Sequence, residues 1–264
     1  MASRFGVKIM PISGTIASCS HPIRELSREL SNAEPRTEPL LMDVNAYGRQ
    51  LLSAEIDRKE HRNFVGGLWE EIGILQFNFL KDQGLQPHHQ LMDVGCGALR
   101  GGVHFIRYLD PEHYYGIDIN ASLIEAGKRE LGEAKLEHKM PHLLVNDKFE
   151  LGRFGTMFDY AVAVSVFTHL PMNHIVRCLV EARKALRPKA RLFASYFEAP
   201  TQAYLDPLQH VPGDIVTNCD ADPYHYAFEE VQWMAGAARM KVERVGVWGH
   251  PRGQIMAAFS NDKS

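Results

Sequence analysis

With 264 residues, 45% of them hydrophobic and 23% charged, the chain has the size and apolar content of one full globular domain carrying an arm. A formal net charge of −3 argues against a long polyanionic partner such as a nucleic acid, whose binding needs clustered Lys and Arg. Cys19, Cys96, Cys178 and Cys219 are scattered with no CxxC pair, and no stretch reaches the apolar length of a membrane span, so the expectation is free thiols, no metal, no membrane and a cytoplasmic location.

Arg4 and Lys8 precede a partly apolar run ending in Ile16-Ala17-Ser18-Cys19, but Pro11, Ser13, Gly14 and Thr15 interrupt it and make a poor export signal. Residues 1–44 therefore read as a flexible N-terminal arm, with one short helix at His21–Leu30 and a proline-broken linker over Ser31–Pro39. From Val44 to Asn63 the pattern is helical and polar. A stronger helix is expected over Phe64–Gln83, where Leu68, Trp69, Ile72, Leu75, Phe79 and Leu80 recur at three- and four-residue spacing, with Gly84 at the C-cap. Residues 45–85 thus form a helical extension or lid ahead of a main domain over 86–264.

From there strand and helix alternate. The strands are Gln90–Val94, Tyr114–Ile117, His142–Asn146, Asp159–Val164 and Ala190–Phe197; the helices are Gly102–Tyr108, Ser122–Leu131 and Asn173–Leu186, the last stopped by Pro188. Residues 198–226, with Pro200, Pro207, Pro212 and Pro223, break the rhythm and read as an irregular, substrate-facing insertion. A helix at Phe228–Arg239 and strands at Lys241–Trp248 and Gln254–Phe259 close the chain, the two strands paired antiparallel across a turn at 250–253. The expected fold is α/β: a Rossmann-like, doubly wound, mostly parallel sheet with a final antiparallel strand, plus the helical N-terminal extension.

The decisive segment is Leu91-Met-Asp93-Val-Gly95-Cys96-Gly97-Ala-Leu-Arg100-Gly101-Gly102, which leaves a strand, turns on glycine and enters a helix. A dinucleotide template G-x-G-x-x-G starting at Gly95 requires glycine where Arg100 stands. Asp93, two residues before the first glycine, would repel a pyrophosphate and suits an ammonium or sulfonium group. Asp118, at the end of the second strand and 23 residues after Gly95, is placed to accept ribose hydroxyls. Asp147, after the third strand, is either an acceptor for an adenine amino group or a turn residue.

These residues resemble the class I S-adenosylmethionine-dependent methyltransferases, in which an acidic-x-Gly-x-Gly turn holds the methionine end of the cofactor and a carboxylate after the second strand holds the ribose. The resemblance spans roughly residues 64–264 and continues through Phe158–Leu170, which is similar to the family's fourth strand and following loop. It implies S-adenosylmethionine as cofactor, with Asp93, Gly95, Cys96 and Gly97 on the methionine side, Asp118 on the ribose and Ile119 beside the adenine; Asp147 and Ser165 are further cofactor-binding candidates. The family's frequent third glycine is replaced by Leu99, and Arg100 is a candidate for the methionine carboxylate. The run from Gly66 to Asp118 also resembles small-molecule or sugar methyltransferases of bacterial biosynthetic clusters.

Methyl transfer is a displacement at an already activated carbon, so aligning the reactants and excluding water supply much of the rate. A hydroxyl acceptor also needs a base. His169, in the loop after the fourth strand, is the leading candidate; the alternative is a packing histidine bonded to backbone. His210, His225 and His250 are further candidates, and Tyr224, Tyr226 and Trp233 are either pocket-lining or core aromatics. The expected function is methyl transfer to a small molecule at an oxygen of a sugar or secondary metabolite. The rivals are a nicotinamide-dependent oxidoreductase and a cofactor-binding module without chemistry. Ser165-Val-Phe-Thr168 stands where base-amino methyltransferases carry an Asn/Asp-Pro-Pro-aromatic signature, a second reason to expect no nucleic-acid substrate.

Overall fold

The computed structural model describes residues 46–211 and 215–261. The arm, its helix candidate and its linker lie outside the described residues. After a 3-10 turn at Ala46–Gly48 come two short helices, α1 (Ser53–Asp57) and α2 (Glu60–Phe64), and then α3 (Trp69–Asp82). The helix expected over Phe64–Gln83 thus begins five residues later. Gly66 and Gly67 take left-handed backbone angles, and their N–H groups close α2 by bonding to Asn63 O and Arg62 O, so the apolar periodicity is interrupted before it is realised.

The main sheet contains β1 (Leu91–Val94), β2 (Tyr114–Asp118), β3 (His142–Val145), β4 (Phe158–Ala163), β5 (Leu186–Glu198), β9 (Met240–Val247) and β10 (Ile255–Asn261) in the order β3-β2-β1-β4-β5-β10-β9. The first five are parallel and β10 runs antiparallel between β5 and β9, as the alternation and the terminal turn imply. The chain winds outward from β1 to β3, then returns to add β4 and β5 on the other side. The switch point at the carboxyl ends of β1 and β4 is where such sheets bind ligands.

Period-two alternation divides the core. Met92, Val94, Ile117, Ala161 and Leu192 pack under helices α6 (Met172–Ala185) and α7 (Phe228–Ala237). Leu91, Tyr114, Val162 and Phe193 pack on the other face with residues of α3, α4 (Gly102–Tyr108) and α5 (Ala121–Glu133).

Two expectations change. Helix α6 stops at Ala185, and Pro188 stands inside β5, whose pairing starts at Leu186 opposite Phe158. The register shifts between Phe158 and Tyr160 while Lys189 takes φ +69°, so the proline sits at an irregularity where no ladder hydrogen bond is needed from it. Residues 198–226 are more regular than their prolines suggested. They contain the antiparallel pair β6 (Leu208–His210) and β7 (Ile215–Thr217), and β8 (His225–Tyr226) extends the main sheet beside β5; Pro200, Pro207 and Pro223 stand between these strands.

Leu99 carries φ +66°, a left-handed conformation that costs a branched residue free energy, yet it is fully buried. Its side chain fills the space beside Gly102 and Gly127, whose missing β-carbons would lie within 3 Å of it. Glycine at this position would relieve the backbone but leave a cavity. Since large-to-small core changes cost about 2–5 kcal/mol and the backbone term returns about 1, Leu99→Gly is expected to lower unfolding free energy by about 2 kcal/mol. Urea titration of the variant checks this.

Candidate functional site

At the carboxyl edge of the sheet, β1 ends in the glycine turn. Gly95 and Gly97 have φ +68° and +52°, and a β-carbon on Gly95 would lie 2.5 Å from Val166 Cγ2, so the turn tolerates no side chain there. Cys96 N donates to Ile117 O at 3.0 Å, tying the turn to β2. Gly97 N donates to Asp118 Oδ2 at 2.9 Å, and Asp118 Oδ1 accepts from Asn120 N at 2.8 Å. The glycine turn and the carboxylate on the neighbouring strand therefore touch. Asn120 caps α5: its Oδ1 accepts from Ser122 N and Leu123 N, and Asp118 lines the cleft.

The edge opens into a cavity of about 940 Å³ including its mouth, within the range of small-ligand pockets (~300–1,000 Å³). Of the expected site residues, Asp93, Gly95, Cys96, Gly97, Asp118, Ile119, Ser165 and His169 all line it, as does Arg100. Asp147 does not: it is exposed, and the buried residue in the wall is its neighbour Asn146. Strand β3 ends one residue earlier than expected, and Asn146 Oδ1 accepts from Lys148 N and Glu150 N, turning the chain so that 147 faces outward.

The cavity floor is electrically unusual. Asp93 is buried and receives one neutral donor, Tyr114 OH, at 2.6 Å; burial outweighs that bond and pushes its carboxyl up to about 7. Burial also raises Asp118, opposed by the N–H groups of Asn120, Gly97 and Ile119. Beside them Arg100 is nine-tenths buried, brought down to about 10 by desolvation. Burial raises the Cys96 thiol well above its ordinary value, which removes it as a nucleophile.

The remaining wall comes from upstream of β1 and was not legible in the sequence. Asn120 Nδ2 donates to Tyr47 O and Arg49 O, both at 2.8 Å, and brings the Tyr47 ring into the cavity. Arg100 Nη1 donates to Val65 O and Gly67 O, and Arg252 donates to Gly66 O, so two guanidinium groups fasten the turn that places Val65. Gln76 of α3 completes this side.

His169 Nδ1 lies 2.6 Å from Asp222 Oδ1 and its ring meets Tyr47 edge-on at 4.8 Å. The other histidine candidates are elsewhere. His210 and His225 bond through Thr217 within the β6–β8 region, and His225 Nε2 is bonded to Tyr204 O. His250 is buried away from the wall, pushed down to about 3 by desolvation and by Arg100 and Arg252. Tyr224, Tyr226 and Trp233 do not line the cavity: Trp233 is exposed and Tyr226 OH donates to Leu170 O. Among the described residues no helix is long and apolar enough to cross a membrane.

Comparison with known proteins agrees with this geometry. Residues 92–192 match a family model described as a methyltransferase domain. A curated but uncharacterised protein of Rickettsia prowazekii is 27% identical over 112 residues, and the match spans less than half of either protein, 42% of this chain and 44% of the relative. A methyltransferase of Streptomyces caelestis superposes with TM-score 0.59 at 13% identity, over 83% of this chain and 99% of its own. The magnesium protoporphyrin IX methyltransferase of Synechocystis gives 0.56 at 17%, over 79% and 95%, and an S-adenosylmethionine-dependent methyltransferase of Clostridium acetobutylicum gives 0.58 at 7%, over 79% and 98%. Residues 92–192, under half of the chain, are thus a methyltransferase domain by the family match, and the strand order is the fold of the solved S-adenosylmethionine-dependent methyltransferases.

Proposed function

We propose that the protein transfers a methyl group from S-adenosylmethionine to a small-molecule acceptor, at an oxygen of a sugar or secondary metabolite. The observation that carries this reading is the contact between Gly97 N and Asp118 on one rim, with the buried Asp93 carboxyl beneath it. A buried acid with one neutral donor is unfavourable in itself and fits a cationic ligand group, whereas a pyrophosphate would meet two carboxylates. The cofactor supplies a methyl carbon activated by positive sulfur. Asp93 would hold the ammonium, Arg100 with Gln76 the carboxylate, Asp118 the ribose hydroxyls, and Ile119 and Asn146 the adenine end.

Similar structures include the Synechocystis enzyme solved with S-adenosylhomocysteine and with S-adenosylmethionine, and a glycopeptide N-methyltransferase solved with both ligands. By name one acts on magnesium protoporphyrin IX and the other on a glycopeptide, which supports a small-molecule acceptor here. Residues 45–85 serve as the wall and lid and 86–264 as the catalytic domain, a division supported by Tyr47 and Val65 in the cavity; 198–226, the proposed acceptor-facing segment, supplies no lining residue among those described and reaches the site through the Asp222–His169 contact.

Calorimetry tests the reading: S-adenosylhomocysteine is expected to bind and NAD(H) to give no heat, and the reverse result would overturn it. The Asp93 shift adds a pH signature. This carboxyl holds its proton up to about pH 7 in the unliganded fold and only to about pH 4 in an unfolded chain, so it erodes stability as pH rises between those values. An ammonium ligand needs the ionised form. The affinity for S-adenosylhomocysteine is therefore expected to fall about tenfold from pH 8 to pH 6, with proton release on binding seen in buffers of different ionisation enthalpy. A flat profile would remove Asp93 from the ammonium site.

A further inference from the structure

We infer that Gln254 is a positioning residue of the cofactor site: from behind the wall it holds Ser165 in a left-handed turn that packs against the glycine turn, and so sets the affinity for S-adenosylmethionine. This assignment rests on the S-adenosylmethionine reading of the cavity and deepens it. Val164, Ser165 and Val166 line the cavity directly after β4, whereas Gln254, which immediately precedes β10, and Ser195 of β5 do not line it. Ser165 takes φ +59°, an angle that a residue with a β-carbon disfavours and that persists only where the surroundings over-determine it. Here they do. Ser165 N donates to Ser195 Oγ at 2.8 Å, Ser195 Oγ donates to Gln254 Oε1 at 2.6 Å, and Ser165 Oγ donates to the same oxygen at 3.1 Å. These bonds form a closed ring, and the two lone pairs of the amide oxygen match the two hydroxyls. Ser165 O accepts from Thr168 Oγ1 at 3.0 Å, which fixes the far side of the residue. Ser195 and Gln254 are buried, and β5 pairs with β10, so the anchored end of the ring belongs to the core.

The conformation of Ser165 places the next residue. Val166 packs on the bare backbone of Gly95, where no β-carbon would fit. Without the ring, Ser165 relaxes towards extended or right-handed angles, which redirects the chain at Val166 and withdraws it from Gly95. The intact wall is then held by only a fraction of the molecules, and the apparent affinity falls by that fraction. Left-handed angles are disfavoured about tenfold for a residue with a β-carbon, which sets the size of the expected loss. Glycine carries no such bias, and this separates positioning of the backbone from general packing.

The test uses the full chain, with calorimetry for S-adenosylhomocysteine and urea titration to establish folding. Gln254→Met, close in volume but without the acceptor oxygen, is expected to raise the Kd about tenfold. In a Ser165→Gly background, at whatever level that variant binds, the same exchange should change the Kd less than about twofold, because glycine adopts left-handed angles unaided. A rise under about threefold in Gln254→Met alone overturns the inference, as does an equal rise in both backgrounds, the result a merely structural role gives. Should Gln254→Met not fold, Ser165→Ala is compared with Ser165→Gly. Both lack the hydroxyl, and the alanine variant is expected to bind at least about threefold more weakly; equal or inverted affinities overturn the inference. If the unmodified protein binds no S-adenosylhomocysteine, the cofactor reading fails, and the positioning is judged by the nuclear Overhauser effect between the amide and α protons of Ser165. That signal is strong at positive φ and is expected to weaken in Gln254→Met; an unchanged signal overturns the assignment.

Discussion

Replacing Asp118 by alanine is expected to raise the Kd for S-adenosylhomocysteine at least a hundredfold while the chain remains folded. The carboxylate uses one lone pair of each oxygen on the N–H groups of Gly97 and Asn120, which leaves both oxygens able to accept from ribose hydroxyls. Hydrogen bonds to a charged group contribute about 1.5–3 kcal/mol each, and two of them account for a loss of two or more powers of ten. The alanine variant also leaves the Gly97 N–H without its acceptor, loosening the turn. Its own stability should change little, because burial already disfavours the carboxylate. Asp147→Ala is the contrast, expected to change affinity less than threefold because that side chain is exposed and outside the wall. Equal losses in the two variants would refute the assignment of the ribose carboxylate.

The second large effect concerns stability. Glu130 of α5 is buried and accepts from His61 Nε2 and Arg62 Nε at 2.8 Å on one oxygen, and from Arg62 Nη2 at 2.7 Å on the other. Burial opposes its ionisation, but these donors together hold it down to about 2. Glu130→Ala removes the shared acceptor and leaves His61 buried without it, at an expected cost of about 3–5 kcal/mol in urea unfolding. The sign of the pH dependence follows: a depressed carboxyl contributes stability above its unfolded value near 4.5, and that contribution disappears as pH falls towards 2. Glu130→Gln should lie between the two, keeping one acceptor oxygen. A loss under 1 kcal/mol in the alanine variant would show that α2 is not anchored through this pair.

Much of the fold was legible because its signals are local. The buried strands at 91–94 and 158–163, the helix at 102–108 and the terminal hairpin follow from short apolar runs bounded by glycine or turn residues, and each lies within two residues of its expected position. The glycine turn and Asp118 were legible for the same reason, since spacing along β1 and β2 fixes which residues reach the edge. What was missed depends on tertiary contacts. Tyr47 sits in a polar stretch with no motif and is held at the site by contacts distant in sequence, Asn120 on its carbonyl and His169 against its ring. Asp222 lies more than fifty residues from His169 in a proline-broken stretch and meets it only in space. The exchange of Asn146 for Asp147 comes from a single-residue difference in strand length, which inverts the direction of a side chain.

Among the described residues, no hydrogen bond from backbone to backbone joins residues 46–67 to the sheet domain; Asn120, Ser122, Arg100 and Arg252 hold that stretch by their side chains. One flank of the chamber is therefore joined to the sheet by side chains, Glu130 among them, and by no ladder bond. Exchanges on that flank away from His61, Arg62 and the buried Leu51 and Ile56 are therefore the ones that alter what is admitted next to the sulfur while the adenosyl grip stays as it is.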